Sequence, residues 1–239
     1  MGVYIIYPQD QKYEKKLSYE KDMMSKLIEA LPKYDKFSQK FHPQITNWLP
    51  FYWKGFSQTT RYTYVIDNIN DMDSVVANFS HAKRKNIKRA EKIVKVTFDL
   101  SAKAFYDNHK LTLSKQHQTI SYDYFTFKSI YDSAIANDSG VIISAIDGGG
   151  EIHSALFVVW DTNSAYDLIS TIDPDYRNSG SASLLIREAI RYVSSRTKYF
   201  DFEGSMIENV EASFRQFGAI QTPYHDIRKY SSQFLRMGS

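Results

Sequence analysis

The chain contains no cysteine among its 239 residues, and it has only 6 prolines and 10 glycines. The lack of cysteine excludes disulfide bonds, iron–sulfur clusters, cysteine zinc sites and a cysteine nucleophile. Long apolar runs are missing too, because the longest one, at residues 155–160, is far too short to cross a bilayer as a helix. The first residues carry no basic segment before their short apolar stretch, so we expect no signal peptide. Together these absences predict a cytoplasmic protein without a membrane span.

What is present is an ordinary globular composition and a local excess of positive charge. Hydrophobic residues make up 43% of the chain and charged residues 24%. Residues 81–95 contain seven Lys or Arg and one Glu, a charge of 7 − 1 = +6, whereas the whole chain carries +3, so the remainder carries 3 − 6 = −3. Two interpretations of this segment remain open. It is either a solvated amphipathic helix face or a surface that contacts phosphate or RNA through residues such as Arg84.

Hydrophobic periodicity and turn residues predict alternating helices and strands. In the first part we expect a strand at 3–7, a helix at 12–31, an irregular stretch at 33–58, a strand at 60–67, one helix that starts at Asp71 or Asp73 and carries the basic segment, and a strand at 94–98. Two helices near 101–116 and 121–136 follow. Strands at 140–147, 151–160 and 165–173, joined by short turns, predict an antiparallel meander. After it we expect a helix at 181–196, a strand at 199–202, a helix at 207–217 and closing strands at 219–221 and 227–230.

The loop between the meander and the next helix has the pattern Arg-x-x-Gly-x-Ala, at Arg177, Gly180 and Ala182. Small residues at a helix start let a ligand approach the backbone, where free N–H groups and the helix dipole favour an anion. Arg177 adds a charge suited to phosphate, and Ser179 and Ser181 complete the candidate anion site. The alternative is a Gly/Ser loop in which a serine caps the helix.

The next strand ends in Phe-Asp-Phe-Glu-Gly-Ser, at residues 200–205. Alternation along a strand directs the two phenylalanines to the core, and Asp201 and Glu203 to the opposite side. A carboxylate at a strand end can act as a general base on an amine or a hydroxyl group. Glu203 is the first candidate for this role and Asp201 the second. A solvated strand end with a Glu-Gly turn is the alternative.

Dense aromatic residues occupy positions 48–56, including Tyr52 and Trp53. Such a segment can line a sugar or acyl pocket, or it can fill the core between two layers. The six histidines are scattered without any pair at metal-ligand spacing, so we predict no metal site.

The order of these motifs resembles that of the GNAT acyltransferases: two helices, a three-stranded meander, the Arg-x-x-Gly-x-Ala loop, a helix, and a strand that ends in Asp-Phe-Glu-Gly-Ser. A finer resemblance is to the FemAB-like branch, which includes the aminoacyltransferases that form peptidoglycan bridges. It rests on the strand at 62–66 followed by the basic helix pattern Arg84-x-x-Ile87-x-x-Ala90, and on residues 201–205 leading to residues 214–219. The resemblance covers residues 60–236.

The resemblance implies a mixed α/β (α+β) fold, with a largely antiparallel twisted sheet flanked by helices and preceded by a partial second GNAT-like unit. FemAB-like proteins resemble two tandem GNAT-like domains, and too few residues remain here for a full first copy. We therefore expect a shortened N-terminal half at residues 1–95 and a complete acyltransferase domain at residues 96–239.

The resemblance also implies a function. It predicts an N-acyltransferase that moves an acyl group from acyl-CoA, with acetyl-CoA as the expected donor, to an amine acceptor, with the donor's pyrophosphate on the Arg177–Ala182 loop. The acceptor is a small molecule or a bacterial cell-wall precursor, and Tyr52, Trp53, Arg84 and Ser205 are candidates for binding it. Two alternatives stay open: aminoacyl transfer from charged tRNA to a cell-wall precursor, and a catalytically inactive GNAT-like binding module.

Overall fold

The computed structural model describes residues 3–204 and 206–231. Its helices are α1 (Tyr13–Glu29), α2 (Leu49–Trp53), α3 (Met72–Asn78), α4 (His81–Ala90), α5 (Ala102–Ser114), α6 (Tyr124–Ala136), α7 (Ser181–Val193) and α8 (Glu208–Phe214). Its strands are β1 (Lys36–Lys40), β2 (Ser57–Ile66), β3 (Val94–Thr97), β4 (Gly140–Asp147), β5 (Ile152–Trp160), β6 (Ser164–Ile172), β7 (Tyr199–Asp201) and β8 (Ile220–Tyr230). Short 3-10 helices cover Pro174–Ser179 and Arg215–Phe217. Within the described ranges, no helix combines the length and the apolar character needed to span a bilayer.

The eight strands form one mostly antiparallel sheet in the order β1-β8-β2-β7-β6-β5-β4-β3. The consecutive strands β4, β5 and β6 pair antiparallel, as their short connecting turns require. β6 and β7 run parallel instead, and α7 makes the crossover that parallel neighbours need. The predicted mixed α/β fold, with a largely antiparallel sheet flanked by helices, is confirmed.

The chain divides into two compact units. One unit is Tyr64–Gln221, and the other combines Met1–Thr63 with Thr222–Ser239. The larger unit holds the meander, the loop that follows it and the strand that ends in the two carboxylates. The division into residues 1–95 and 96–239 stays a prediction.

Apolar side chains cover both faces of the sheet in the larger unit. One face packs against α3, α4 and α7 in a cluster that includes Val75, Ile87, Ile143, Leu156, Val158 and Leu185. The other face packs against α5 and α6 in a cluster built on Phe105, Phe127 and Phe157. A strand covered on both sides carries consecutive apolar residues rather than alternating ones, which accounts for the apolar run in β5.

The smaller unit has an apolar cluster of its own. In it, Met24 of α1 and Ile227 of β8 accompany Phe41, Phe51 and Phe56. The rings of Phe51 and Phe56 meet edge to face, with centroids 5.1 Å apart. The aromatic segment thus fills a core through these rings, as one of its two interpretations predicted.

Three local predictions, for residues 3–7, for residues 33–58 and for the closing strands, were wrong. Residues 3–7 form no strand. Residues 33–58 are not irregular throughout, because they contain β1 and α2. The two closing strands are the single strand β8, which pairs antiparallel with β1 over five residue pairs.

The single helix predicted for the basic segment is in fact two helices, α3 and α4. Phe79 between them has an extended backbone, with φ −63° and ψ 141°, and its side chain is buried. Ser80 then starts α4, because its hydroxyl accepts a hydrogen bond from the N–H of Lys83 at 3.2 Å. Core packing of Phe79 and the capping serine together favour the break over a continuous helix.

Candidate active site

The parallel strands β6 and β7 separate soon after they meet. Three residue pairs join them, the last being Tyr166 opposite Asp201, after which β7 stops and β6 continues to Ile172. The register of β5 against β6 shifts between Phe157 and Val158, so a β-bulge lies next to this point. Bulges bend a strand and redirect its side chains. The result is a gap beside β6 that no other described strand fills on that side.

Asp167 is the first β6 residue beyond the last pair with β7, and its side chain is buried. Both of its carboxylate oxygens lie 2.7 Å from the hydroxyl of Ser170, which has a single hydrogen to donate. Burial, together with the negative charge of Glu203, raises the pKa of Asp167 to about 6 against the opposing effect of the Ser170 hydrogen bond. Such a carboxylate suits proton transfer near neutral pH. Asp167 was not among the predicted site residues, although an aspartate inside an apolar strand was a signal for it in the sequence.

Glu203 and Asp201 stand at the end of β7. Glu203 is exposed and has a left-handed backbone with φ 59°, a conformation that is uncommon outside glycine and clusters at functional sites. Its N–H donates to Oδ1 of Asp201 at 2.8 Å, so Asp201 stabilises the turn that carries Glu203. Phe200 and Phe202 are buried, which confirms the predicted alternation. The fold therefore brings Glu203 within electrostatic reach of Asp167, while catalytic roles for Glu203 and Asp201 stay predictions.

Charge and ring contacts anchor the loop that leads from β6 to α7. The ammonium group of Lys115 lies 2.7 Å from carboxylate oxygens of both Asp173 and Asp175. These bonds raise the pKa of Lys115 above its ordinary range. The ring of Tyr176 stacks on His153 with centroids 3.9 Å apart. The loop is thereby fixed ahead of the predicted anion site.

Gly180 has a packing role that the sequence did not reveal. Its φ is 84°, and a Cβ built on it would lie 2.3 Å from the carbonyl oxygen of Asn86 in α4. Glycine is required here both by the backbone conformation and by the close approach of α4. Ser179 and Ser181 are buried beside it with their hydroxyls 2.9 Å apart, and the N–H of Ser181 donates to Oγ of Ser179. One backbone donor at the start of α7 is therefore used within the loop.

Arg177 and Ala182 complete the predicted donor site at the start of α7. Arg177 is exposed, and its Nη2 donates to Oε1 of Gln116 at 2.8 Å. Ala182 is half-buried. The structure thus collects the five predicted residues around one helix start, and their binding of a donor stays a prediction.

The basic helix α4 differs from its predicted arrangement at two positions. Arg84 donates from Nη1 to the carbonyl oxygens of Ala77 and Phe79, at 2.7 and 2.5 Å, and so satisfies backbone acceptors at the end of α3. Lys83 is buried rather than on the solvated face. Lys85 and Lys88 are exposed as expected.

The remaining predicted acceptor residues are Tyr52, Trp53 and Ser205. Tyr52 and Trp53 lie on α2 in the smaller unit, each with 58% of its surface exposed. Ser205 lies outside the described residues. Over the ranges that the structure describes, no group of three or more His, Cys, Asp or Glu residues could hold a metal ion.

Comparison with known families identifies the larger unit. A sequence model described as "Acetyltransferase (GNAT) domain" matches residues 77–206, more than half of the chain. This range contains the meander, the gap between β6 and β7 and the Gly180 loop. No protein in a curated set of sequences matches the chain.

Solved structures share the fold at low sequence identity. FemX superposes with a TM-score of 0.69 at 10% identity, over 89% of this chain and 77% of its own. L-PGS from Bacillus licheniformis gives a TM-score of 0.54 at 10% identity, over 80% of this chain and 67% of its own. A conserved protein of unknown function from Bacteroides thetaiotaomicron VPI-5482 gives 0.53 at 12% identity, over 90% and 73% of the two chains. The chain therefore belongs to the GNAT acetyltransferase family and has a FemAB-like fold.

Proposed function

We propose that the protein is an N-acyltransferase that moves an acyl group from acyl-CoA to an amine acceptor. The observation that carries this proposal is the gap between β6 and β7, with Asp167 and Glu203 beside it, in a chain of the GNAT family. The amine attacks the thioester carbon directly, since the chain has no cysteine to form a thioester intermediate. The new C–N bond replaces the C–S bond, and CoA leaves as its thiol.

Carboxylates beside the gap serve this reaction by removing a proton from the amine. Glu203, which is exposed, takes that proton directly or through a water molecule. Asp201 holds the turn of Glu203 by accepting its backbone N–H. The negative charge of Glu203 contributes to the raised pKa of Asp167, so the two carboxylates interact electrostatically.

The donor's phosphates are assigned to the start of α7, at residues 179–182, with Arg177 on the exposed side. A helix N-terminus favours anions through its dipole and its N–H groups. The acceptor class follows the FemAB-like resemblance and is a small amine or a cell-wall precursor. Tyr52, Trp53 and Ser205 stay candidates for binding it. Arg84 is a weaker candidate, because its guanidinium already bonds two backbone carbonyls.

Turnover of acetyl-CoA with a panel of amines tests the proposal, together with calorimetric titration of CoA. Glu203→Gln keeps the side-chain shape and removes the base, so kcat should fall by about 10²–10⁴. CoA affinity should stay within about twofold, since Glu203 is assigned to the acceptor side. Glu151→Gln, at an exposed acid on the β4–β5 turn, is the matched control and should leave kcat unchanged.

Two results would count against this proposal. Equal kcat values for Glu203→Gln and Glu151→Gln would reject Glu203 as the base. Failure of the wild type to bind CoA at millimolar concentration would reject acyl-CoA as the donor. If tRNA binding also fails, the inactive binding module is the remaining interpretation.

Aminoacyl transfer from charged tRNA is the second candidate, favoured by the exposed lysines of α4. Lys85→Glu/Lys88→Glu should abolish tRNA retention at low salt, because each lysine that contacts phosphate contributes to counterion release. Lys15→Glu/Lys110→Glu changes the net charge equally at exposed lysines on other helices and is the control. Filter binding across a salt series measures both pairs. Equal weakening in the two double variants would show a general charge effect and remove α4 as the tRNA contact.

A further inference from the structure

Lys83 is a buried cation that the acyl-transfer site does not use. Its side chain lies in the first turn of α4 and is 9% exposed. Burial alone lowers the pKa of Lys83 to about 8, and no described carboxylate offsets the effect. Buried charges in folded proteins are normally paired with an opposite charge. A lysine without such a partner, and partly neutral just above neutral pH, needs another explanation.

The surroundings of Lys83 place its amine against a hydroxyl group. Nζ lies 2.7 Å from Oγ of Ser213, a half-buried residue of α8. The ring of Phe217 lies below the amine, with its centroid 4.2 Å away. The hydroxyl of Ser80 holds the backbone N–H of Lys83. The amine is therefore held in one position, within hydrogen-bond distance of a potential nucleophile.

Two other charged groups of these helices have partners elsewhere. Arg84 of α4 bonds the carbonyl oxygens at the end of α3. Glu211 of α8 accepts from the hydroxyl of Tyr64 at 3.0 Å and lies 3.7 Å from Arg215. These groups do not neutralise Lys83, and the amine keeps its access to Ser213.

We propose that Ser213 and Lys83 form a serine–lysine pair that accepts an acyl group from an activated carboxylic ester. Oγ of Ser213 attacks the ester carbonyl carbon while Nζ of Lys83 takes the hydroxyl proton. The new C–Oγ bond forms, the bond to the leaving group breaks, and Lys83 returns the proton to the departing oxygen. The product is an acyl ester on Ser213. Pairs of this kind, with lysine as the base of a serine nucleophile, occur on unrelated folds.

The experiment treats the full chain with p-nitrophenyl acetate between pH 6 and pH 9.5 and quantifies acetyl on each serine by peptide mass spectrometry. Acetyl should appear on Ser213 faster than on Ser195, which is exposed on the loop after α7. The rate should rise with pH up to about 8 and then level, as the amine loses its proton. Lys83→Arg keeps the charge and a donor to Ser213 but cannot accept a proton, so labelling should fall at least about 100-fold.

Melting curves establish that Lys83→Arg and Ser213→Ala are folded, and the pH profile of the wild type tests the proposal without any substitution. Labelling of Ser213 at the rate of Ser195, or at the same rate in Lys83→Arg as in wild type, would overturn it. In either case Lys83 would serve only as a contact between α4 and α8. Glu151→Gln, at the exposed acid on the β4–β5 turn, should label like wild type, because this residue belongs to neither α4 nor α8.

Discussion

A single buried carboxylate, Asp167, shows how environment changes a side chain that looks ordinary in sequence. Its oxygens share one hydroxyl donor and lie in reach of a second negative charge. The charged form is then poorly compensated, which disfavours it relative to the protonated form. The same imbalance that suits a group for proton transfer reduces the stability of the folded protein once the group is charged.

This imbalance predicts a pH-dependent stability. The pKa of Asp167 is raised in the folded state to about 6. The folded wild type therefore keeps its full stability while the pH lies below the ordinary pKa of an aspartate. Its free energy of unfolding then falls as the pH rises through 6. Asp167→Asn removes the titration and keeps a partner for Ser170. Between pH 4 and pH 7 the free energy of unfolding of the variant should therefore increase relative to that of the wild type, by up to about 3 kcal/mol. Urea unfolding at several pH values measures the difference.

The control for this prediction is Asp138→Asn, at an exposed aspartate after α6. Its stability relative to wild type should not change with pH over the same range. A constant difference between Asp167→Asn and wild type at every pH would show that the carboxyl has no raised pKa in the folded protein.

At the scale of elements, the packing of α4 on the start of α7 decides what several residues do. Because Gly180 has no side chain, the backbone of Asn86 can approach it closely. Arg84 leaves the solvated face to bond the end of α3. Gly180 was predicted to bind a ligand and Arg84 a substrate, and the structure shows that both residues also make packing or hydrogen-bond contacts between helices. Variants at either position therefore affect folding as well as any binding.

A pair of glycine variants measures the close approach of α4. Gly180 and Gly150 both have positive φ, 84° and 89°, but a Cβ on Gly150 meets nothing within 4 Å. Gly150→Ala should cost about 1–2 kcal/mol for the backbone conformation alone. Gly180→Ala should cost about 1–3 kcal/mol more, because its Cβ displaces backbone atoms of α4. Midpoints of urea unfolding test this, and equal losses would show that α4 does not lie against Gly180.

At the scale of the whole molecule, the order of the elements is the basis of the predicted resemblance to the GNAT family. Short turns of Gly148-Gly149-Gly150 and of residues 161–164 predicted an antiparallel meander, and the structure contains it as β4, β5 and β6. The loop and the helix after it lie where the resemblance implied. The family match over residues 77–206 covers the same elements. The predictions of elements that failed lie at residues 3–7, 33–58 and 219–230, where no strong periodicity guided them, and at Phe79, where the predicted single helix divides into α3 and α4.

The sequence by itself determined the local elements and their order, because periodicity, caps and turns act between residues a few positions apart. It also indicated the burial of Phe200 and Phe202, since alternation is a local property of a strand. Only the tertiary structure brought Asp167 to Glu203, because the pairing of β6 with β7 joins segments separated by α7. The same holds for Gly180 against Asn86 and for Lys83 against Ser213. These contacts arise when distant segments pack together, and no local pattern encodes which side chains will meet.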